Sequence, residues 1–426
     1  MKHLFKIAIL LVGDNEMKIL NFGSCNIDYV YFLNHIVGVG ETETTDQMKV
    51  FPGGKGLNQS IAAAKAGGKV YHAGCVGQDG DMLTEILAEN DVDIAYIRRT
   101  PEKSGHAIIQ VSAGGENAIF LFPGSNETVT QEYVDSVLEH FGKDDILLLQ
   151  NEISNVDYIV ERAYQKKMCI LFNPSPFNEK IDRVDFTKLS WILLNEIEMK
   201  AISGCDAPQE GLTYFKQNYP KLKVVLTMGS RGCICMDNKC ELYQPAFRVE
   251  TVDTTAAGDT FTGYFVAEML RQSDCRKRLK IASAASALAV SKEGAASSIP
   301  DRKEVLSALE YLTENKPNKK SEIIREQVDR YIEQNLKTAH VEELAKILGY
   351  SAIYTGTLIK KIKGKSFSKV VQEKRCSVAA DKLLHTDLSV MEIAESVGYE
   401  NKSFFRKIFQ EKYHKNPLEF RRGEKK

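Results

Sequence analysis

The chain lacks any apolar stretch approaching the roughly 18 residues that a membrane-spanning helix needs, so no such anchor is expected. It also lacks the G-x-x-x-x-G-K-[ST] phosphate loop and the H-R-D and D-F-G signatures, which removes the P-loop nucleotidases and the protein kinases from consideration. Its nine cysteines show no framework spacing, as expected of reduced thiols in a cytoplasm rather than of a disulfide scaffold. Cys233, Cys235 and Cys240 do cluster, on an apparent hairpin around Met236-Asp237-Asn238-Lys239. They have no fourth ligand nearby and read as small strand residues rather than a metal site. The eight histidines form no H-x-x-x-H pair, so no zinc chemistry is expected. The start of the chain has Lys2 and Lys6 before a short apolar run but ends in Gly13-Asp14-Asn15-Glu16, without a small-residue cleavage site; we read no signal peptide there. Met17 opens MKILNFGSCNID, which reads as the first strand of a domain, leaving residues 1–16 outside it.

With 426 residues, the chain is too long for one ordinary core, so two folded parts are expected. A hydrophobic fraction of 43% beside 27% charged residues is globular in character. The formal net charge of −1 conceals an asymmetry, because residues 316–426 carry 24 Lys/Arg against 15 Asp/Glu, leaving 32 against 42 for the rest. The basic part calls for a polyanionic partner. From Met17 to about Ala308, β-rich runs such as KILNFGS, KVYHAGCVG and ILLLQNEIS alternate with helical patterns, which predicts a doubly wound α/β domain over residues 17–308. Two stretches break that rhythm, roughly Asp28–Phe51 and Gly105–Phe122, the second reading as a hairpin; they are expected to form a small separate sheet, a β lid. A Lys-rich segment with a Pro marks a linker at 309–321, and residues 322–426 read as all-helical. Within them Glu343–Tyr350 (ELAKILGY) recurs as Glu392–Tyr399 (EIAESVGY), an offset of 49, so two copies of one helical motif are expected.

The strongest chemical motif is Asp253-Thr254-Thr255-Ala256-Ala257-Gly258-Asp259-Thr260, running from an extended segment into an apolar helix. Small residues at Ala256, Ala257 and Gly258 let backbone N–H groups approach a phosphate, and the helix N-terminus adds partial positive charge: an anion hole. Asp259 stands at the same helix start, where a carboxylate can take a proton from an attacking hydroxyl. Alone, it reads first as a helix cap. Its company changes that reading: Phe51-Pro52-Gly53-Gly54-Lys55-Gly56-Leu57-Asn58-Gln59 precedes an Ala-rich helix, and its glycines permit close approach to a small ligand while Lys55 and Asn58 supply donors.

Together these two motifs resemble the ribokinase/PfkB family over residues 17–308, as do Gly23–Asp28 (GSCNID), Gln150-Asn151-Glu152, Asn173–Pro176 (NPSP) and Leu194–Glu198 (LNEIE). The resemblance implies an ATP-dependent sugar kinase with Asp259 as general base. It implies that Asn26, Asp28, Gly54, Lys55, Asn58 and Glu152 hold sugar hydroxyls, and that Asn195, Thr227, Gly229 and Ser230 contact the nucleotide. It further implies Mg²⁺ near Glu198 and a monovalent cation, K⁺, near Asp253, Thr255 and Ser298, with Lys292–Ser298 (KEGAASS) departing from the more basic, Pro-containing run common in ribokinases. A furanose, ribose first, is the implied substrate, and a cytoplasmic homodimer the implied state.

Residues 322–426 resemble the AraC-type helix-turn-helix domain, through both ELAKILGY-like motifs and through Asn416–Arg422 (NPLEFRR). Second helices are expected at Ser351–Lys361 and Lys402–Glu411, joined through a helix at Ser368–His385 about 27 Å long, so that two recognition helices can enter successive major grooves of double-stranded DNA. Lys402, Ser403, Arg406, Lys407 and Lys412 make the second helix suited to DNA, whereas the first has Gly356 inside it and Thr357 where the family often has Arg. Three readings follow: a kinase that also regulates genes, a regulator using a silent kinase fold as a sugar sensor, and a kinase with an inert tail.

Overall fold

The computed structural model describes residues 17–237, 240–313, 319–386, 388–413 and 415–423, without the side chains of 319–323, 326 and 361. The readings made for residues 1–16, for Asn238-Lys239 and for the middle of the linker lie outside the described residues. These fall into two compact units, one on either side of residues 314–318.

In the first unit, short apolar runs with inward-facing residues on both faces become strands. β1 (Ile19–Phe22), β4 (Val70–Val76), β5 (Asp93–Arg99), β8 (Ile146–Gln150), β9 (Cys169–Asn173), β10 (Trp191–Asn195) and β11 (Lys223–Thr227) are parallel. The antiparallel hairpin β12 (Cys233–Met236) and β13 (Glu241–Gln244) completes a nine-stranded sheet of order β13-β12-β11-β10-β9-β8-β1-β4-β5. Period-two alternation sends Ile19, Leu148, Leu171, Leu193 and Val225 to one face and Leu20, Leu149, Phe172, Leu194 and Leu226 to the other, each face carrying its own buried cluster. The first face is covered by α1 (Lys55–Lys65), α2 (Asp81–Glu89), α7 (Ala257–Leu270) and α8 (Cys275–Val290). The second is covered by α3 (Gln131–Leu138), α4 (Val156–Gln165), α5 (Glu196–Ser203) and α6 (Pro208–Asn218). After α9 (Arg302–Ala308), Leu309 and Leu312 pack on the first cluster and the Arg248 N–H donates to the Thr313 carbonyl at 2.9 Å, so this stretch is held by the first unit.

A separate four-stranded sheet, order β3-β2-β6-β7, is built from β2 (Asn26–Leu33), β3 (Met48–Gly53), β6 (Gly105–Ser112) and β7 (Asn117–Phe122). It is the β lid expected from the two irregular stretches. Asn26, at its root, pairs with Gly53 on one side and Gly105 on the other.

The second unit is helical: α10 (Lys319–Gln334), α11 (Val341–Leu348), α12 (Ala352–Lys363), α13 (Phe367–His385), α14 (Val390–Ser396), α15 (Lys402–Tyr413) and α16 (Pro417–Gly423). α13 serves both halves, giving Phe367 and Val371 to one buried cluster and Ala379 and Leu383 to the other. Between them Arg375 donates to the carbonyls of Leu336 (2.9 Å), Lys337 (2.9 Å) and Gly398 (3.1 Å), tying together loops of both halves.

Candidate functional site

The C-terminal ends of β1, β8, β9, β10 and β11 converge beneath the lid, the edge where open α/β sheets bind ligands. β1 delivers Gly23-Ser24-Cys25-Asn26 toward the lid; after β3, Gly54 adopts φ 95° and caps α1, so the chain turns where a side chain would be strained. Close approach also needs the neighbouring glycines: a Cβ at Gly53 would lie 2.1 Å from Asp28 Oδ2, and one at Gly56 2.3 Å from the Ser24 nitrogen.

The first turns of α1 and α7 carry the centre of the site. Asp259 is buried and its carboxylate accepts from Asn58 Nδ2 (3.1 Å) and Gln59 Nε2 (2.9 Å), both on α1. Gln59 is itself fixed by Asn173 Oδ1 (3.0 Å) and Gln150 Nε2 (2.7 Å). Asn58 Oδ1 is buried without a hydrogen-bond partner among the described residues, an acceptor that a hydroxyl donor can satisfy. Ala256 is left-handed (φ 59°) at the cap of α7, Gly258 lies in its first turn, and the Ala257 N–H makes a long 3.3 Å contact to the Thr254 carbonyl.

Glu152, beyond β8, accepts from the Ser24 hydroxyl and from the Lys55 N–H at 3.1 Å. Burial pushes its carboxyl above the usual range against the pull of Lys55. Burial, and then the Glu152 charge, push Asp28 up to about 7. Burial works to discharge the Lys55 ammonium, but the carboxylates of Asp259, Glu152 and Glu198 outweigh it and hold the amine above its ordinary value. Asn26 is buried, its Oδ1 accepting from Asn126 Nδ2 at 2.8 Å, while Asn126 Oδ1 accepts from the Cys25 N–H at 3.1 Å. Asn126 was not singled out in the sequence; its only signal is its place in the Pro123-Gly124-Ser125 turn.

On the nucleotide side of the motif set, Asn195 and Glu198 form a capping box on α5: Asn195 Oδ1 accepts from the Ile197 (2.8 Å) and Glu198 (3.0 Å) N–H groups, and Glu198 Oε2 accepts from the Asn195 N–H (2.9 Å). This leaves Glu198 Oε1 for a cation or its waters, the sparse carboxylate contact that Mg²⁺ prefers. Thr227 ends β11, its hydroxyl 3.4 Å from the Leu194 carbonyl, with Gly229 and the exposed Ser230 in the turn beyond. Asp253 accepts from the Thr255 (2.8 Å) and Gly294 (3.0 Å) N–H groups. Burial opposes ionisation there, but these hydrogen bonds prevail and keep its carboxyl below the usual range, a persistent anion suited to a monovalent cation. The Ser298 hydroxyl, fully buried, donates to the Ala295 carbonyl at 2.8 Å.

In the second unit Phe405 and Phe409 are buried, which leaves Lys402, Ser403, Arg406 and Lys407 on the exposed face of α15. Lys412 is not brought together with them: its ammonium donates to the Glu373 carbonyl of α13 at 3.0 Å and lies 5.2 Å from the Tyr413 ring centre. The helix starts are equivalent at Ser351 and Asn401, fifty residues apart, each side chain capping the third following N–H. One residue is therefore added between Tyr399 and the second helix, relative to the first copy.

A cluster of amides and carboxylates at the root of a β lid, with one carboxylate held at a helix start, suits phosphoryl transfer to a sugar hydroxyl. Fold and site together define a carbohydrate kinase. Residues 17–302 match the family model for pfkB family carbohydrate kinases, and residues 344–423 match one for a helix-turn-helix domain. Ribokinase of Haemophilus influenzae is 32% identical over 298 residues, covering 68% of this chain and 97% of that protein. Deoxyribokinase of Salmonella typhi is 30% identical over 295 residues, covering 67% and 96%. The solved structure of Arabidopsis thaliana ribokinase complexed with ribose and ATP has a TM-score of 0.61 at 25% identity, covering 69% of this chain and 99% of its own. The chain belongs to the pfkB family of carbohydrate kinases, and its second unit is an AraC-type helix-turn-helix domain.

Proposed function

We propose that residues 17–308 catalyse transfer of the γ-phosphoryl of ATP to the terminal hydroxymethyl of a furanose, D-ribose first, yielding D-ribose 5-phosphate. We propose further that residues 322–426 bind double-stranded DNA sequence-specifically. The observation that carries the kinase reading is the pair of amide hydrogen bonds from Asn58 and Gln59 to Asp259, because it makes the sugar loop and the base one construction.

In this reading Asp28, Asn26, Gly54, Lys55, Asn58 and Glu152 hold the sugar hydroxyls, and Asp259 takes the proton as the oxygen attacks the γ-phosphorus and ADP departs. The N–H groups of Ala256, Ala257 and Gly258 hold the charge that gathers on the transferring group, Ala257 releasing its contact to Thr254. Asn195, Thr227, Gly229 and Ser230 contact the nucleotide. Glu198 would hold Mg²⁺ through its waters, where the ion neutralises phosphate charge; Asp253 and Thr255, with the Ser298 segment, would hold K⁺ beside the anion hole. Deoxyribose is the competing substrate, since a relative of nearly equal identity is a deoxyribokinase.

The exposed basic face of Lys402, Ser403, Arg406 and Lys407 supports DNA binding by α15. Half-exposed Ile119, Phe120, Leu121 and Phe122 along β7 support a homodimer formed through the lid, in the cytoplasm. The test is ATP turnover with a panel of pentoses and hexoses, with and without K⁺, beside Asp259→Asn. Ribose-dependent turnover lost in the variant is expected; sugar binding without turnover would instead establish the sensor reading.

A further inference from the structure

One cluster plays no part in phosphoryl transfer. Cys235 lies on β12, in register with Val225 of β11 and Leu242 of β13, and is buried. Cys275 is the first residue of α8, partly exposed, and its Sγ lies 2.9 Å from Cys235 Sγ. We propose that Cys235 and Cys275 are a peroxide-reactive thiol pair, Cys275 being the residue oxidised first and Cys235 the one that resolves it.

Three features assign the roles. Cys275 stands at a helix N-terminus, where the aligned peptide dipoles favour a thiolate, three residues before Arg278. The contact between the two sulfurs holds Cys275 below its ordinary value and pushes Cys235 up. Exposure separates them as well, since Cys275 is partly exposed while Cys235 is buried beneath α8. The other buried thiols lack this arrangement: Cys25 contacts His72 Nε2 at 3.3 Å, and Cys233 contacts the Ser283 hydroxyl at 3.7 Å.

The chemistry balances. The Cys275 thiolate attacks one peroxide oxygen of ROOH, the O–O bond breaks, and ROH leaves after taking the proton; Cys275 becomes a sulfenic acid. The Cys235 sulfur then attacks the Cys275 sulfur, the S–O bond breaks and water leaves with the Cys235 proton. Two thiols and one hydroperoxide give one disulfide, one alcohol and one water. The bond would staple the sheet edge to α8, whose last residue, Val290, accepts through its carbonyl from the N–H groups of Val252 (2.8 Å) and Asp253 (3.2 Å).

The experiment titrates the reduced full-length protein with hydrogen peroxide, denatures it, alkylates free thiols with a maleimide and maps the peptides. Two of the nine thiols should be lost together, as a Cys235–Cys275 cross-linked peptide that dithiothreitol reverses. Cys240→Ser should behave as the parent, although Cys240 is exposed near the same hairpin. Cys235→Ser should leave a sulfenic acid at Cys275 that dimedone labels, and Cys275→Ser should leave Cys235 reduced. Alkylation of all nine thiols after peroxide, or a Cys240–Cys275 cross-link in the parent protein, would overturn the proposal; both are read on unsubstituted protein, so neither depends on a variant folding.

Discussion

In the proposed sugar site, the carboxyl of Asp28 should make sugar binding a function of pH. Asp28 is on β2 at the root of the lid, with Gly53 making room for it, and burial together with the Glu152 charge raises it to about 7. A raised carboxyl is protonated in the folded chain at pH values where the unfolded chain has already lost the proton. This group therefore costs the sugar-free protein stability as pH rises from about 4 towards 7. Sugar hydroxyls need the ionised form as an acceptor, so affinity should move the other way. With a midpoint near 7, the ionised fraction falls about tenfold between pH 8 and pH 6, and the dissociation constant for the sugar should rise by about the same factor. Calorimetric titration of ribose into the nucleotide-free protein measures this without interference from catalysis. Asp28→Asn, a neutral side chain of equal size, should bind weakly at both pH values and lose the dependence. A flat dissociation constant in the parent protein, or a tenfold change retained in Asp28→Asn, would refute the reasoning.

Asp259→Asn should lower kcat by about 10³-fold while leaving the sugar dissociation constant within a few-fold, because the loss is of a proton acceptor in the transition state. Arg375→Ala removes the donor to three backbone carbonyls and should destabilise the second unit by about 2–3 kcal/mol. The single tryptophan, Trp191, lies in the first unit, so urea unfolding followed by its fluorescence should be unchanged while the circular dichroism transition moves to lower urea. On a mixed-sequence duplex, Lys407→Ala should reduce the slope of log affinity against log salt by about one, whereas Lys412→Ala should change it by less, its ammonium being held against the Glu373 backbone carbonyl.

Much of this site could be read from the sequence because its chemistry sits on short contiguous stretches. The GGKGLNQ loop, the helix start at Asp259 and the strand ends at Gln150 and Asn195 each carry their signal within a few residues, and the parallel direction of the strands fixes which end of the sheet Gln150 and Asn195 share. Asn126 escaped because it acts across about a hundred residues, on Asn26 and Cys25, and nothing local distinguishes it from any turn asparagine. Lys412 stands apart from the others for another reason: basic composition carries no helical phase. Phe405 and Phe409 set that phase, and Lys412, three residues past Phe409, falls on the flank facing α13. Phase also corrects the comparison between the two copies. The sequence repeat has an offset of 49 up to Tyr350 and Tyr399, but the buried pairs in the second helices are Thr355 with Phe405 and Ile359 with Phe409, one residue further on. Arg406 thus corresponds to Gly356 rather than to Thr357, and Thr357 to Lys407. The exposed aromatics Tyr354 and Phe404 fall at matching positions on the two helices. What differs between the copies is therefore charge behind a shared aromatic: in the proposed DNA complex Arg406 and Lys407 of the second helix should pair with phosphate or guanine, where the first helix presents Gly356 and Thr357.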